Sequence, residues 1–579
     1  MKILRRITAA AIVMFITVQC VFALPAEAIN VTDYMYNRKY TLVTNLLRDD
    51  SDTLAAIKEL GRTVAFMSVS DGKCRAKVFA AQSENLSTAL YSAFTRAKAS
   101  GITPKWFKLD VVVSEEDVTY AKFRADNSGK YIGSMRSGIA FDKKYGAALL
   151  EAQINSAGMI DYEKTGKIDF TKVNEALKES GMTALKTVPA KFTLFRTQGY
   201  FAENTAYAMK LENGTFATTG RRILPADRST AELLAQKSSG YLSSVCGDDG
   251  KFVYGYYPID NEPIEGYNML RHAGTVWNLI MQYEMCGDES LVPVIERSLD
   301  FLGKHISYKD TKTAFLDDGT ALNIGGNGLA ILAYSTYSEV FCTNKYNALI
   351  RALACGIVYM QKSDGSFIHT LNRNTFGTAE DYVIIYYDGE AAYGLAKAYG
   401  VLGDARFLKS AKKAADYFIK NHYEAEHSHW ISYTFNELTK YAPEEKYFEF
   451  GLRNVNEDDF SSTVHNTRAG INSASETVNA AFEMYDRLIS GRKKCAYLDE
   501  FNAKQLLRAV IRRAEYGLNY FMFPEYAMYM KAPETVVYGF AVREDDFRTR
   551  IDDTQHFMDG YYMFWKNYDI IEQYKEILL

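Results

Sequence analysis

The sequence predicts a mainly α-helical protein, with a closed ring of helical hairpins in its C-terminal part and a smaller α/β (α+β) domain before it. Three observations predict this. From about Ser229 onward, apolar residues recur at three- and four-residue spacing in one segment after another. Two turn patterns within that region repeat: Asp249-Gly250-Lys251-Phe252 returns as Asp364-Gly365-Ser366-Phe367, and Gly287-Asp288 returns as Gly403-Asp404. Upstream of residue 200 the period shortens toward two, and β-branched runs flank Asp71-Gly72, a hairpin signal.

In chain order, residues 1–28 read as a signal peptide. Lys2, Arg5 and Arg6 precede the apolar run Ile7–Val18, and Ala26-Glu27-Ala28 offers small residues at the cleavage positions. That run is too short for a membrane span, so the mature chain is expected to be extracytoplasmic, periplasmic or secreted, without a stable span. Residues 29–200 form the α+β domain. Its strands are Thr63–Ser68, Cys74–Ala81, Trp106–Val113, Gly138–Phe141 and Lys191–Thr197, and its helices are Ser83–Ser100 and Phe170–Ser180. Residues 201–228 read as a linker. The helical region then runs over 229–579, with helices predicted at Ala231–Val245, Tyr267–Met285, Ser290–His305, Ile324–Phe341, Lys345–Gln361, Gly389–Leu402, Ala405–Asn421 and His429–Lys440. Three longer ones follow at Val464–Leu488, Phe501–Phe521 and Asp553–Tyr574. Eleven or twelve helices are what six hairpins need, and repeated hairpins bury their faces against one another when the ring closes.

Composition excludes several classes. Hydrophobic residues at 47 % and charged residues at 24 %, with only 10 Pro, rule out disordered, collagenous and coiled-coil chains. A net charge of −4 with no basic block argues against a nucleic-acid partner, which requires a phosphate-neutralising patch. Cys74, Cys246, Cys286, Cys342, Cys355 and Cys495 are widely spaced with no CxxC or Cys-His pair, so no metal is expected and the thiols are read as buried and free. The 42 Tyr and 33 Phe suit a helical core first and sugar-stacking surfaces second.

The repeated Asp-Gly-x-Phe and Gly-Asp turns, with the helix Tyr386-Tyr387-Asp388-Gly389-Glu390, resemble the (α/α)6 toroid superfamily over about residues 225–579. Its six-hairpin members include glycoside hydrolases, polysaccharide lyases and sugar 2-epimerases. Gln361-Lys-Ser-Asp-Gly-Ser-Phe367 is also similar to the Gln-x-x-Asp-Gly-x-Trp repeat of triterpene cyclases, a pattern that ties an outer helix to its turn. The resemblance implies a carbohydrate substrate or ligand and no cofactor. It also implies that alternate helices line an inner barrel with their N-termini at one mouth.

Polar residues at those N-termini are the candidate site: Asn268, Arg271 and His272; Asn323 and Asn327; Asp388 and Glu390; His429 and Trp430; His465 and Arg468; Asp552, Asp553, Gln555 and His556. Aspartates there also serve as N-caps, and Glu390 suits a first turn without catalytic duty. Capping does not explain Arg271, His272 and the other imidazoles, where cations are disfavoured. Glycoside hydrolysis needs a protonated carboxyl and a second carboxylate, and the separation between the two decides retention or inversion. Asp388 or Glu390 against Asp552 or Asp553, with His556 beside them, is the catalytic set this favours. Asn268, Arg271, His272, Asn327, Tyr386, Tyr387, His429, Trp430, His465, Arg468 and Gln555 are the substrate-binding candidates, with Tyr267 and Tyr382 as further stacking rings. A uronate lyase or epimerase is the alternative, with a histidine as base and Arg271 or Arg468 on a carboxylate. A non-catalytic glycan-binding or envelope-assembly module is the third. His422, His427 and His429 are read as turn and surface histidines rather than as a metal site.

Overall fold

The computed structural model describes residues 30–130, 133–212, 220–379, 384–455 and 473–579. The expected signal peptide, His465, Arg468 and Tyr382 lie outside the described residues. Among the described residues, no helix is long and apolar enough to cross a membrane.

Helices α1 (Val31–Arg48) and α2 (Ser51–Glu59) open the chain, with Asn30 and Asp50 side chains capping their free N–H groups. Next come β1 (Thr63–Ser70), β2 (Lys77–Ser83), α3 (Leu86–Ala99), β3 (Trp106–Thr119), β4 (Gly138–Ala140), β5 (Ala148–Leu149), α4 (Phe170–Glu179), β6 (Lys191–Ala202) and β7 (Met209–Lys210). The strands form one antiparallel sheet in the order β2-β1-β3-β6-β4-β5, with β7 beside β6. Strand β2 starts three residues later than predicted. Asp71 accepts hydrogen bonds from the N–H groups of Lys73 and Cys74 and folds them into a loop, and Ala76 N–H bonds Met528 O at 2.7 Å instead of a strand neighbour.

Strand β1 is buried along its whole length because both sheet faces are covered. Ala65, Met67 and Val69 pack with Tyr36, Leu90 and Phe94 of the helices. Val64 and Phe66, on the other face, pack with Trp106, Phe195 and, from far along the chain, Met528 and Tyr529. Strand β6 runs to Ala202 and β7 follows, so both enter the segment predicted as linker.

Among the described residues, twelve longer helices make up the ring of the C-terminal part. In order they are α5 (Arg228–Ser244), α6 (Met269–Cys286), α7 (Val292–Gly303), α8 (Ile324–Val340), α9 (Asn347–Met360), α10 (Ile385–Leu402), α11 (Ala405–Lys420), α12 (His429–Tyr441), α13 (Glu445–Arg453), α14 (Ser473–Ser490), α15 (Ala503–Gly517) and α16 (Ile551–Leu578). The even-numbered helices pack each against the next, and α16 closes on α6, making an inner ring of six. Each odd-numbered helix lies outside, between two inner ones. Within the ring, helix α13 is the one the sequence reading missed; at nine residues it is two and a half turns and lies between longer neighbours, and α1 and α2 before the sheet were not predicted either.

The repeated turns are the joints of this ring. Gly287 and Gly403 end α6 and α10 in the left-handed region (φ 62° and 64°), and Asp288 and Asp404 then cap the helical turns that follow. Gly250 and Gly365 sit where a Cβ would lie 2.0 Å from Arg297 O and 2.4 Å from Lys413 O, so the Asp-Gly-x-Phe turns seat directly on the next outer helix. All six cysteines of the described chain are free, but Cys74 and Cys342 are exposed, which corrects the expectation that all would be buried.

Candidate active site at the mouth of the ring

The first turns of the inner helices converge on a cavity of about 530 Å³. Helix α6 brings Asn268 and Arg271, α10 brings Tyr386, Tyr387 and Glu390, α12 brings His429 and Trp430, and α16 brings Asp552, Gln555 and His556. Glycines allow this convergence. A Cβ at Gly325 would lie 2.0 Å from Glu390 Oε2, one at Gly389 would lie 2.6 Å from Trp430 Cβ, and one at Gly274 would lie 2.5 Å from Gln555 Oε1.

Glu390 is buried in the cavity wall, and its Oε2 has no hydrogen-bond partner. Burial pushes its pKa up to about 8, against the charges of His556 and Arg271. The side chain is therefore a carboxylic acid at neutral pH, with a proton to give.

Across the cavity, Asp552 Oδ2 accepts from Arg271 Nε at 2.8 Å and pairs with Arg550 Nη2 at 3.1 Å, while Oδ1 has no partner. Burial and the adjacent Asp553 carboxylate raise Asp552 above the ordinary aspartate value, against the two guanidiniums. Asp553 behaves differently. Burial alone would raise it, but Arg550 (2.9 Å) and Arg548 (3.0 Å) outweigh that and hold it ionised.

The imidazoles also diverge. His556 Nδ1 lies 3.1 Å from Glu476 Oε2; burial would lower its pKa, but the Glu476 carboxylate prevails and pushes it up to about 9. His429 is buried beside it, with ring centroids 5.2 Å apart and edge to face. Burial and the His556 charge hold His429 well below the usual histidine value, and its Nε2 has no partner. His429 is thus neither the turn nor the surface histidine the sequence suggested. His422 is exposed at a turn and pairs with Glu424, and His427 Nδ1 lies 2.9 Å from Asn454 O.

Six sequence candidates are turned away from the cavity. His272 lies between α6 and α7, where Ser298 O takes the Nε2 proton (3.0 Å) and Tyr267 O–H donates to Nδ1 (2.6 Å); burial lowers its pKa to about 4. Tyr267 is engaged there rather than as a stacking surface. Asn327 holds the outer layer, accepting from Leu316 N–H and donating to Ala314 O and Leu353 O. Asn323 caps α8 through Gly326 N–H. Asp388 accepts from Tyr423 O–H and His369 Nε2–H, each at 3.1 Å. The His369 tautomer is set because Ile384 N–H donates to its Nδ1 at 2.8 Å. Asp388 therefore anchors the start of α10 from behind. Asp553 is fully buried under Arg548 and Arg550 and accepts from Arg550 N–H, so it positions those two cavity arginines.

The sequence reading overlooked Glu476, Tyr520, Arg548, Arg550 and Phe557. Glu476 fell inside the predicted helix Val464–Leu488 and was not read as a site residue; the start of that prediction lies outside the described residues. Arg548 and Arg550 immediately precede α16 and were readable as its approach strand.

No protein-family profile matches the chain, and no curated protein does. The chain is similar to solved structures of several sugar-converting proteins. A D-mannose isomerase has 12 % identity over 59 % of this chain and 98 % of its own, with a TM-score of 0.44. A cellobiose 2-epimerase from Bacillus thermoamylovorans has 11 % identity over 58 % and 99 %, with a TM-score of 0.43. An unsaturated glucuronyl hydrolase specific for heparin has 13 % identity over 59 % and 98 %, with a TM-score of 0.42. The ring is an (α/α)6 toroid. That statement stands on the closed circuit of six inner and six outer helices among the described residues, and the activities of those proteins are theirs.

Proposed function

We propose that this toroid is a carbohydrate-active enzyme, a glycoside hydrolase in which Glu390 is the general acid and Asp552 the general base or nucleophile. The observation that carries the reading is Glu390: an uncharged, unpartnered carboxyl in the cavity wall, facing a site whose second carboxylate, Asp552, is gripped by two arginines and keeps one oxygen free. Two carboxyls with different surroundings divide acid and base duties. Of the four carboxyls the sequence put forward, these two line the cavity and Asp388 and Asp553 do not.

The saccharide class rests on the lining. Trp430, Tyr386 and Tyr387 bring aromatic rings to the lining, and Asn268, Gln555 and Arg271 bring polar groups, the combination that holds a hydroxylated ring by face and edge. The N-terminal signal pattern supports action outside the cytoplasm. The test is a screen of the purified chain against neutral and acidic poly- and oligosaccharides with product analysis, repeated for Glu390→Gln and Asp552→Asn. Loss of turnover with retained saccharide affinity supports the assignment; no product from any glycan, or full turnover by both variants, removes it.

A second reading follows from His429. A neutral imidazole with a free Nε2 in the cavity is suited to take a proton beside a carbonyl, as a lyase or epimerase requires. Solvent deuterium entering recovered sugar in the wild type, and not in His429→Asn, distinguishes it from hydrolysis.

A further inference from the structure

Three side chains able to bind a metal meet beside the cavity from three different inner helices, His429 and His556 in its lining and Glu476 fully buried next to them. His429 opens α12, Glu476 stands in the first turn of α14 and His556 in the second turn of α16. One ligand atom from each lies within 4.8 Å of the others, and the His556–Glu476 pair is already at 3.1 Å. We propose that His429, Glu476 and His556 bind a divalent transition cation of the zinc class.

The residue types and their surroundings support this. Two imidazole nitrogens and one carboxylate are the ligand set of open, three-protein-ligand zinc sites, which keep a fourth position for water or substrate. In a tetrahedral site with ligands about 2.0–2.1 Å from the ion, ligand atoms are roughly 3.4 Å apart, so the Glu476–His556 edge already fits and the edges to His429, each within 4.8 Å, close by at most about 1.4 Å. The other Glu476 oxygen accepts from Tyr433 O–H at 3.1 Å, the outer-layer bond that orients a ligating carboxylate. His429 is 8 % exposed, packs against Tyr386 and Trp430, and its Nε2 has no hydrogen-bond partner. A buried polar nitrogen without a partner is destabilising, and the ion–Glu476–His556 unit would supply the missing partner. The Glu476–His556 pair is satisfied without a metal, but His429 is not. A cation held there polarises an oxygen ligand or acidifies a bound water.

The inference goes beyond the hydrolytic reading and is tested without any sugar, so either can fail alone. The full chain, stripped with chelator and exchanged into buffer, is titrated with Co²⁺ while visible ligand-field absorption is recorded, and with Zn²⁺ by calorimetry. The expected result is saturable uptake of about one ion per chain with tetrahedral-type Co²⁺ bands, displaced by Zn²⁺, and with protons released as His556 gives up its own. His429→Asn and Glu476→Gln should each weaken binding by roughly 100-fold or more, with unchanged far-ultraviolet circular dichroism. If His429→Asn does not fold, Glu476→Gln, which keeps the shape and the Tyr433 contact, carries the same test. His422→Ala, at the exposed turn histidine, should leave the bands intact. No saturable binding by the wild type, binding unchanged in both cavity variants, or loss of binding in His422→Ala overturns the proposal.

Discussion

At the residue scale the site depends on one proton. Glu390 keeps it because the wall removes water from the carboxyl while no hydrogen-bond donor reaches its buried Oε2. Glu390→Gln preserves volume and neutral charge but cannot donate, so turnover should fall about 10²–10⁴-fold with saccharide affinity retained, as steady-state kinetics and a binding isotherm would show. The wild-type rate should decline as pH rises through about 8, where Glu390 ionises, and that limb should vanish from any residual activity of the variant. The same group links stability to pH. Its folded pKa lies above the value of a solvated glutamate, so between about 4.3 and that folded value the unfolded chain has released a proton the native chain still holds. Stability contributed at acid pH is therefore lost across this window as pH rises. Melting temperatures recorded from pH 5 to 8 should fall more steeply for wild type than for Glu390→Gln; parallel curves would mean that the carboxyl is ionised and solvated.

At the scale of elements, the ring is assembled from glycines that do two different jobs. Gly403 ends α10 at φ 64° with nothing within 4 Å of the place a Cβ would occupy, whereas Gly389 lets α10 lie against α12 at Trp430. Gly403→Ala should cost about 1–2 kcal/mol through left-handed strain and leave turnover unchanged. Gly389→Ala should cost about 1–3 kcal/mol by overpacking and also lower activity, because it pushes Trp430 and the start of α12 away from Glu390. Denaturant melts and kinetics of the pair separate the two effects, and equal activity in both would contradict a shared wall between α10 and α12. These joints were legible in the sequence because turn chemistry is local: at Gly287-Asp288 and Gly403-Asp404 the glycine ends one helix and the aspartate caps the next. Which side of a helix start faces inward was not. Asp388 and Glu390 are two residues apart, about 200° around the helix, so one faces the cavity and the other faces His369 and Tyr423. Arg271 and His272 part in the same way, about 100° apart, and with polar residues on both sides the periodicity could not choose between them.

At the scale of the whole molecule, the sheet and the toroid are joined through a buried charge cluster that no sequence pattern announces, since its members lie hundreds of residues apart. Arg222 grips Glu525 with Nε and Nη2 at 2.9 and 2.7 Å, and its own N–H donates to the same carboxylate at 2.8 Å. It also reaches Glu203, just beyond β6, at 2.9 Å and lies over the Phe523 ring at 4.6 Å. Beside this cluster Arg75 donates to Tyr529 O (2.7 Å) and Ile259 O (3.1 Å), and Tyr529 O–H bonds Ser68 Oγ at 2.8 Å beneath the sheet. Burying Glu525 completely costs solvation that this bidentate pairing offsets, so removing it takes away the carboxylate that holds the buried Arg222 by its guanidinium and its N–H, and leaves the guanidinium to Glu203. Glu525→Ala should therefore lose about 3–5 kcal/mol, well beyond the same change in a solvent-screened pair such as Lys122–Glu116. Because the apolar face of β1 rests on Met528 and Tyr529, the loss should be felt by both parts together. Calorimetry of the wild type should show one cooperative transition, and Glu525→Ala should shift it down as a whole or split it with the sheet melting first. An unchanged melting temperature would show that apolar contact alone joins sheet and ring.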